Sequence, residues 1–365
     1  MVIQFTVSIT LIIGTIVVYR QVQHAQNRPV GYLRDGLLSI NVNSRDFNGK
    51  YAVVGNELKN SGMVSDVATS SSPLTSIWST DNQFEWQGKD PATKIDFGTI
   101  AISTDYGKTI NWQFSDGRDF SGAFPSDSNG YIVNEAAVKQ MGLQHPVGAL
   151  IKHVGKDYRI LGVVKDMVME SPFASSSPTI FFLQGDVNSM LIRINPKVNT
   201  RDALAKITSV FKNTAPSATL DFKFVDQTYA AKFAAEERIG KLAGCFAALA
   251  IFVSCLGLFA MATFIAEQRI KEIGVRKVLG ATVLNLWGLL SKDFVVLVFI
   301  SLLIASPTAY YFMHTWLQGY AYRTELSWWI FAVSGVGAMA ITLLTVSYQS
   351  IKAALENPVK SLRSE

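Results

Sequence analysis

The sequence predicts an α-helical membrane protein with four transmembrane helices and an α+β extracytoplasmic domain between the first and second. Residues 242–266 run for 25 positions without a charge, and residues 294–312 for 19. A helix rising about 1.5 Å per residue needs roughly 20 apolar residues to cross a hydrocarbon core of roughly 30 Å. Residues 2–19 are a third apolar run, uncharged until Arg20, and residues 328–350 a fourth, opened by the interfacial pair Trp328 and Trp329. From about residue 24 to 226 the chain is instead polar and turn-rich, as a folded domain outside the bilayer would be.

The first apolar run competes with a signal peptide. It lacks a basic n-region and shows no small-x-small cleavage site before Arg20 (GTIVVYRQVQ), so it reads as an anchor over residues 1–20. The external domain then alternates strand and helix. Residues 37–42 (LLSINV) read as a strand, 47–61 as a helix with Tyr51, Val54 and Leu58 on one face, and 64–69 as a strand. The same order returns at 190–194, in a helix with Thr200 as N-cap carrying Leu204, Ile207, Val210 and Phe211, and at 220–225. Two β-α-β units separated by a long insertion, roughly 73 to 186, predict a split ferredoxin-like lobe interrupted by a second lobe. That insertion holds a turn stretch at 115–122 (SDGRDFSG), a short helix capped by Asn134 and a strand at 158–164. From Asp226, read as an N-cap, one helix is expected to continue through residue 266 as a rigid stalk of about 60 Å.

The short loops set the orientation. Arg269, Lys271, Arg276, Lys277 and Lys292 lie in or beside the second-to-third loop, whereas the third-to-fourth loop, 313–327, holds Arg323 alone. The tail adds Lys352, Lys360 and Arg363. Positive-inside therefore places 267–282 and both termini in the cytoplasm and the large domain outside; Arg20, Arg28 and Arg34 run against this, but long domains translocate largely regardless of charge. The formal net charge of +5 on 365 residues does not indicate nucleic acid, because the bases are scattered or flank spans. Cys245 and Cys255 both fall in the second span about 15 Å apart along the axis, too far to pair, and the polar domain has no cysteine.

No catalytic, cofactor or metal site rises above background. His24, His145, His153 and His314 have no ligand spacing and read as surface or turn residues. Asp116, Arg118 and Asp119 suit a solvated turn better than an acid pair. The tract 70–72 is serine-rich but has no nucleophile elbow, and no Walker A sequence is present, so the chain is not itself a P-loop ATPase. Gly240 with Gly244, and Ser334 with Ala338, have the small-xxx-small spacing of a helix contact in lipid, a dimer contact being one reading.

The informative loop is EQRIKEIGVRKVLGAT, residues 267–282. Glu267–Lys271 and Glu272–Arg276 are favourable i,i+4 pairs, and Gly280 is placed to end the helix. Ile270, Ile273, Val275 and Val278 spread round the axis, which suits a helix gripped by a protein better than one lying on a membrane surface.

With its tail, IKAALENPVKSLRSE, this loop resembles the MacB/FtsX-like family of ABC transporter permeases. GRDFSG, YIVNEAAVKQMG with HPVGALI, and YRILGVVKDMVMES resemble the external core domain of such permeases. The resemblance implies a core domain at 24–226 and an FtsX-like domain at 227–365. The latter comprises the stalk and second span at 227–266, a coupling loop at 267–282, spans at about 290–312 and 328–350, and a cytoplasmic tail. It further implies a non-catalytic permease subunit in a bacterial inner membrane, worked by a separate cytoplasmic ATPase and paired with a second permease copy or half. Carried over by position, the ATPase contact falls on Glu272, Ile273, Gly274, Arg276, Lys277, Leu279, Gly280 and Ala281, with Asn357, Pro358, Val359 and Leu362 as secondary candidates. Family chains usually open with a basic cytoplasmic helix, whereas Met1 here begins almost in the membrane, as expected of the second half of a two-repeat permease or a truncated product. Two functions follow: export or extraction of an envelope substrate, which a periplasmic adaptor would accompany, or a scaffold that regulates a cell-wall hydrolase or senses a ligand.

Overall fold

A computed structural model describes residues 1–42, 47, 49–185, 188–216 and 220–355. The chain divides into two units, Met1–Asn27 with Ala234–Glu365, and Arg28–Phe233. Helix α1 (Val2–Gln26) opens the first unit. The second begins with β1 (Leu37–Asn41), α2 (Tyr51–Asn60) and β2 (Val64–Ser70). Then come β3 (Thr80–Asp81), β4 (Phe84–Trp86), β5 (Phe97–Ile102), α3 (Tyr106–Ile110), β6 (Phe114–Gly117), β7 (Gly130–Asn134), α4 (Glu135–Met141), β8 (Leu150–His153), β9 (Lys156–Val164) and β10 (Thr179–Leu183). The unit closes with β11 (Ser189–Ile194), α5 (Thr200–Thr214), β12 (Phe222–Phe224) and α6 (Val225–Ala231). Helices α7 (Ala234–Gln268), α8 (Ile270–Val278), α9 (Val283–Gln318) and α10 (Trp328–Leu355) return to the first unit.

The strands β12-β1-β11-β2 lie side by side, antiparallel throughout, with α2 joining β1 to β2 and α5 joining β11 to β12. That is the ferredoxin-like order expected of two β-α-β units. Alternation drives Leu38 and Ile40 of β1 and Met190 and Ile192 of β11 onto the face where Val54, Leu58, Ile207 and Phe211 of the two helices are buried. Everything between β2 and β11 is the inserted lobe. Its sheet continues through β5-β10-β7-β9-β8-β4 and meets the first lobe at one bridging pair, Ser70 with Ile102.

The predicted cap at Asn134 is present: its Oδ1 accepts from Ala137 N (3.0 Å) and from Thr179 N (2.8 Å), and its amide donates to Ser177 O (2.9 Å). Two other caps differ from expectation. Asn199, not Thr200, caps α5, because it is Asn199 that stays extended and accepts from Arg201 N (2.8 Å). Asp226 lies inside α6, which follows Phe224, and its carboxylate accepts from the next amide, Gln227 N (2.7 Å). The expected unbroken stalk is two helices, interrupted at Lys232 and Phe233, whose amides bond back to Tyr229 O and Ala230 O in a tightened last turn.

Four helices of the first unit are long and apolar enough to cross a membrane: Val2–Gln26, Ala234–Gln268, Val283–Gln318 and Trp328–Gln349. In α1 a strict period-four stripe, Phe5, Ile9, Ile13, Val17, Gln21 and Ala25, is buried. It packs with Leu258 and Ala262 of α7, Phe294, Val298, Ala305 and Ala309 of α9, and Ile330 and Ala338 of α10. Because lipid is as apolar as leucine, such packing depends on small residues and a few polar contacts. Ser8 Oγ bonds Ser254 Oγ (3.0 Å) and Ser301 Oγ donates to Val2 O (3.1 Å). Gln21, fully buried, donates to Tyr322 O (2.9 Å) and accepts from Thr324 N (2.8 Å). Gly240 and Gly244 face Val18 and Thr15 of α1 within the same chain, and Ser334 and Ala338 are buried in the same bundle, so both small-residue stripes are occupied intramolecularly.

Asn134→Ala would strand two amides and a carbonyl inside the inserted lobe, a loss of about 2–3 kcal/mol. Denaturant unfolding followed by tryptophan fluorescence should show it.

Candidate functional site

Helix α8 is built to stand still. Arg269, neither helical nor extended (φ −100°, ψ 13°), separates it from α7 and pairs with Asp293 of α9 (3.5 Å). At its other end Gly280 has φ +92°, a left-handed conformation that glycine adopts freely. Gly280 N donates to Lys277 O (3.1 Å) and Ala281 N to Arg276 O (3.0 Å). These are the paired bonds of a Schellman cap, here closed by an apolar contact, since Ala281 packs into the same cluster as Ile273. Thr282 follows at once as N-cap of α9, accepting from Asn285 N (3.3 Å). Ile273 is 5% exposed and seated on Leu286 and Leu290 of α9 and Ile265 of α7.

The eight residues expected at a partner contact therefore fall into two groups. Ile273 and Gly274 are buried, and Gly280 with Ala281 forms the cap, so these four hold the helix in place. Glu272 and Arg276 are exposed and paired with each other (2.8 Å), Lys277 is half-buried, and Leu279 is 80% exposed. Val275, Val278 (67% exposed) and Leu284 extend this outward face and were missing from the expected set. Their signal was present as branched apolar residues at positions that a buried helix face cannot share with Ile273. The pair Glu267–Lys271 falls partly on a side chain outside the described residues. So do Asn357, Pro358, Val359 and Leu362.

The other candidates resolve into structure. Asp116 and Arg118 are exposed, as a solvated turn predicts, while Asp119 is half-buried and two of the three are tied into the lobe. Arg118 forks onto Asp127 with two bonds of 2.7 Å, and Asp127, 1% exposed, also accepts from Ser121 N (2.9 Å). Asp119 accepts from Trp112 Nε1 (2.9 Å) and Phe120 N (2.8 Å), and burial pushes its pKa up. His153, half-buried at the end of β8 beside the turn at 154–155, bonds Asp81 Oδ2 and Tyr131 Oη (3.0 Å each) and stacks on Phe84. Desolvation raises the Tyr131 pKa beyond its ordinary value, so its hydroxyl stays protonated. His24 stacks on Tyr322 and His314 on Tyr310. Among the described residues no group of three or more His, Cys, Asp and Glu could hold a metal ion. A cleft of about 430 Å³ beside α2 and β2 carries on its rim the Lys59–Asp105 pair (3.2 Å), with no nucleophile–base arrangement.

Four membrane-length helices, an α/β domain inserted in the chain after the first, and a capped helix between the second and third define a multi-pass membrane protein with an α/β extramembrane domain. The model of the MacB-like periplasmic core domain matches residues 3–210, more than half of the chain, and that of the FtsX-like permease C-terminal matches 244–358. The chain belongs to the MacB/FtsX-like permease family. No curated protein matches it. Among solved structures it resembles the periplasmic region of MacB from Actinobacillus actinomycetemcomitans, at 15% identity over 57% of this chain and 96% of that one, with a TM-score of 0.41. The extracellular domain of the noncanonic ABC-type transporter YknZ from Gram-positive bacteria matches at 14% identity over 51% and 97%, with a TM-score of 0.36.

Two outcomes test these assignments. Ile273→Ala should lift the foot of α8 by about 2 kcal/mol and speed amide exchange over residues 270–278 about 30-fold, whereas Leu279→Ala should not. Arg118→Ala should destabilise by about 2 kcal/mol at neutral pH by stranding Asp127. Arg118 holds the Asp127 pKa below its ordinary value, so this stabilisation is full above about pH 4 and is lost as pH falls through the lower folded value. Thermal unfolding across that range should show a shallower acid loss in the variant.

Proposed function

We propose that this chain is the non-catalytic permease subunit of an ABC transporter, worked by a separate cytoplasmic ATPase that docks on α8. The observation that carries the reading is the division of α8 into a foot and a face. Ile273 plants the helix on α9, while Val275, Val278 and Leu279 stand outward beside the Glu272–Arg276 pair. An apolar centre rimmed by charge is the composition of a protein contact, and its fixed foot lets displacement of α8 pass into α9 instead of being absorbed locally. Family membership supports the same assignment.

In this reading α8 and both termini lie in the cytoplasm of a bacterial cell, in its inner membrane, and the Arg28–Phe233 unit faces the periplasm. The basic residues of the α8 loop favour that orientation. ATP-driven closure of the ATPase pair would move α8, the second and third spans, and through them the external domain of this chain and of a second permease copy. The cargo class is an envelope substrate, such as a peptide, a lipoprotein or an antimicrobial compound, and a periplasmic adaptor would receive it.

Tagged chain extracted from its native membranes should co-purify with a P-loop ATPase, identified by mass spectrometry. Reversal of both bases (R276E/K277E) should abolish recovery while the chain remains inserted and monodisperse. Undiminished recovery from that variant would remove α8 as the docking site.

A further inference from the structure

We propose that residues 166–178 clasp both chain crossings of the external domain, so that Arg28 and Lys232 carry motion of the membrane helices into the inserted lobe. The load-bearing role rests on the permease reading above; the clasp itself does not.

The chain enters the Arg28–Phe233 unit after α1 and leaves it before α7. A basic residue stands at each crossing. Arg28 Nη1 donates to Pro172 O (3.0 Å) and Ala174 O (2.6 Å), and its Nη2 to Ser176 Oγ (3.3 Å). Lys232 Nζ donates to Met169 O (2.9 Å), to Glu170 O and to Thr75 O (2.6 Å). An ammonium has three donors, and here all three are spent on backbone carbonyls. These carbonyls belong to irregular chain, with no ladder to take them up, so each cation replaces the secondary structure that the segment lacks.

Apolar and backbone contacts repeat the arrangement. On the entry side Val168 N donates to Val30 O (3.0 Å) and Tyr32 Oη to Val168 O (3.2 Å). Gly31, at φ +81°, lies so close to the Asp166 carbonyl that a Cβ would collide with it. On the exit side Phe233 meets Phe173 edge-on at 5.6 Å and Tyr229 at 5.4 Å. Sequence-distant crossings thus converge on one stretch of thirteen residues, 166–178.

That stretch is bound into the inserted lobe. It runs from just beyond the end of β9 to the start of β10, the strands on either side of β7. Asp166 Oδ1 accepts from Ala136 N at the start of α4 (2.8 Å), and Ser177 O accepts from Asn134 (2.9 Å). A pull on either crossing therefore reaches β9 and β10 without passing through the ferredoxin-like lobe.

In the bonds described Arg28 and Lys232 hold different acceptors, and the crossings also meet directly where Arg34 lies over the Tyr229 ring (4.5 Å). The variants are therefore compared in an Arg34→Met background, which leaves the segment as the bonded route between them. The full-length chain in lipid nanodiscs, as Lys232→Met and Arg28→Met, tests this by amide hydrogen exchange without nucleotide. Each substitution keeps an unbranched stem and removes the donors. Lys232→Met should raise exchange about tenfold at 28–33 as well as at 166–178, and Arg28→Met about tenfold at 225–233. If Lys232→Met does not fold, Arg28→Met alone carries the comparison. Changes confined to the substituted crossing would overturn the clasp.

A second arm adds the co-purified ATPase. ATP should alter exchange over 97–183 in the wild-type chain, and both variants should lose that response while hydrolysis continues. Variants that keep the response overturn the load-bearing role. A wild-type chain without a nucleotide response overturns the permease reading, and the load-bearing role with it, whatever the nucleotide-free exchange shows.

Discussion

Inside lipid every backbone amide must find its partner within its own segment, and the rest of this molecule is arranged round that constraint. It makes all four crossings helical and frees their side chains from any duty to shield polar groups. Apolarity then ceases to distinguish inside from outside. The distinction falls to shape and to a handful of polar contacts, which is why the α1 stripe meets alanines of α9 and α10 while Thr15 and Val18 beside it meet the glycines of α7. The constraint relaxes at the ends of the helices. There Gln21 closes the α9–α10 connection onto α1 by satisfying one carbonyl and one amide of irregular chain with a single buried side chain.

The same accounting explains α8. A nine-residue helix is too short to hold itself together in water, so its order has to come from its ends and its foot. The Schellman cap satisfies two carbonyls at one end, Arg269 ties the other to Asp293, and Ile273 supplies the buried contact. Substitutions at the foot and cap act on how firmly α8 is held. Substitutions on its outward face act on what it can grip. The two classes differ physically although they adjoin in sequence.

The four spans, the ferredoxin-like order and the Asn134 cap were legible because each rests on a local period or a local cap. Residues 267–282 were legible as one motif, but not as foot and face, since an isolated helix of mixed composition gives no sign of which side meets α9. The break at Lys232 was hidden for a related reason. KFAAEER has good helix propensity throughout, and what interrupts it is a tertiary demand, the capture of the Lys232 side chain by carbonyls some 60 and 160 positions earlier in the chain. Arg118 gave no sign of its pairing because the carboxylate it forks onto, Asp127, lies nine positions on, beyond a loop whose path no periodicity describes.

The serine tract at 70–72 offers the same lesson from the other side. These hydroxyls bond backbone groups: Ser70 Oγ donates to Ser72 O (2.6 Å), Ser72 Oγ accepts from Trp78 N (3.1 Å), and Ser71 Oγ lies at the seam between the two lobes. Ser71 N donates to Ala101 O (2.9 Å) and Ser71 Oγ accepts from Ala101 N (3.0 Å); Ser103 mirrors this on Thr69, with bonds of 3.0 Å each. Where β2 and β5 diverge after one bridging pair, side-chain oxygens thus continue the ladder for one step on either side. A joint of so few bonds leaves the lobes weakly fastened along the sheet. The lobes are also tied at α3, where Arg193 Nε donates to Thr109 O (2.6 Å), Lys108 pairs with Asp66 (2.6 Å) and Lys59 with Asp105 (3.2 Å). A further fastening is the 166–178 segment, held by charge-assisted bonds from both crossings.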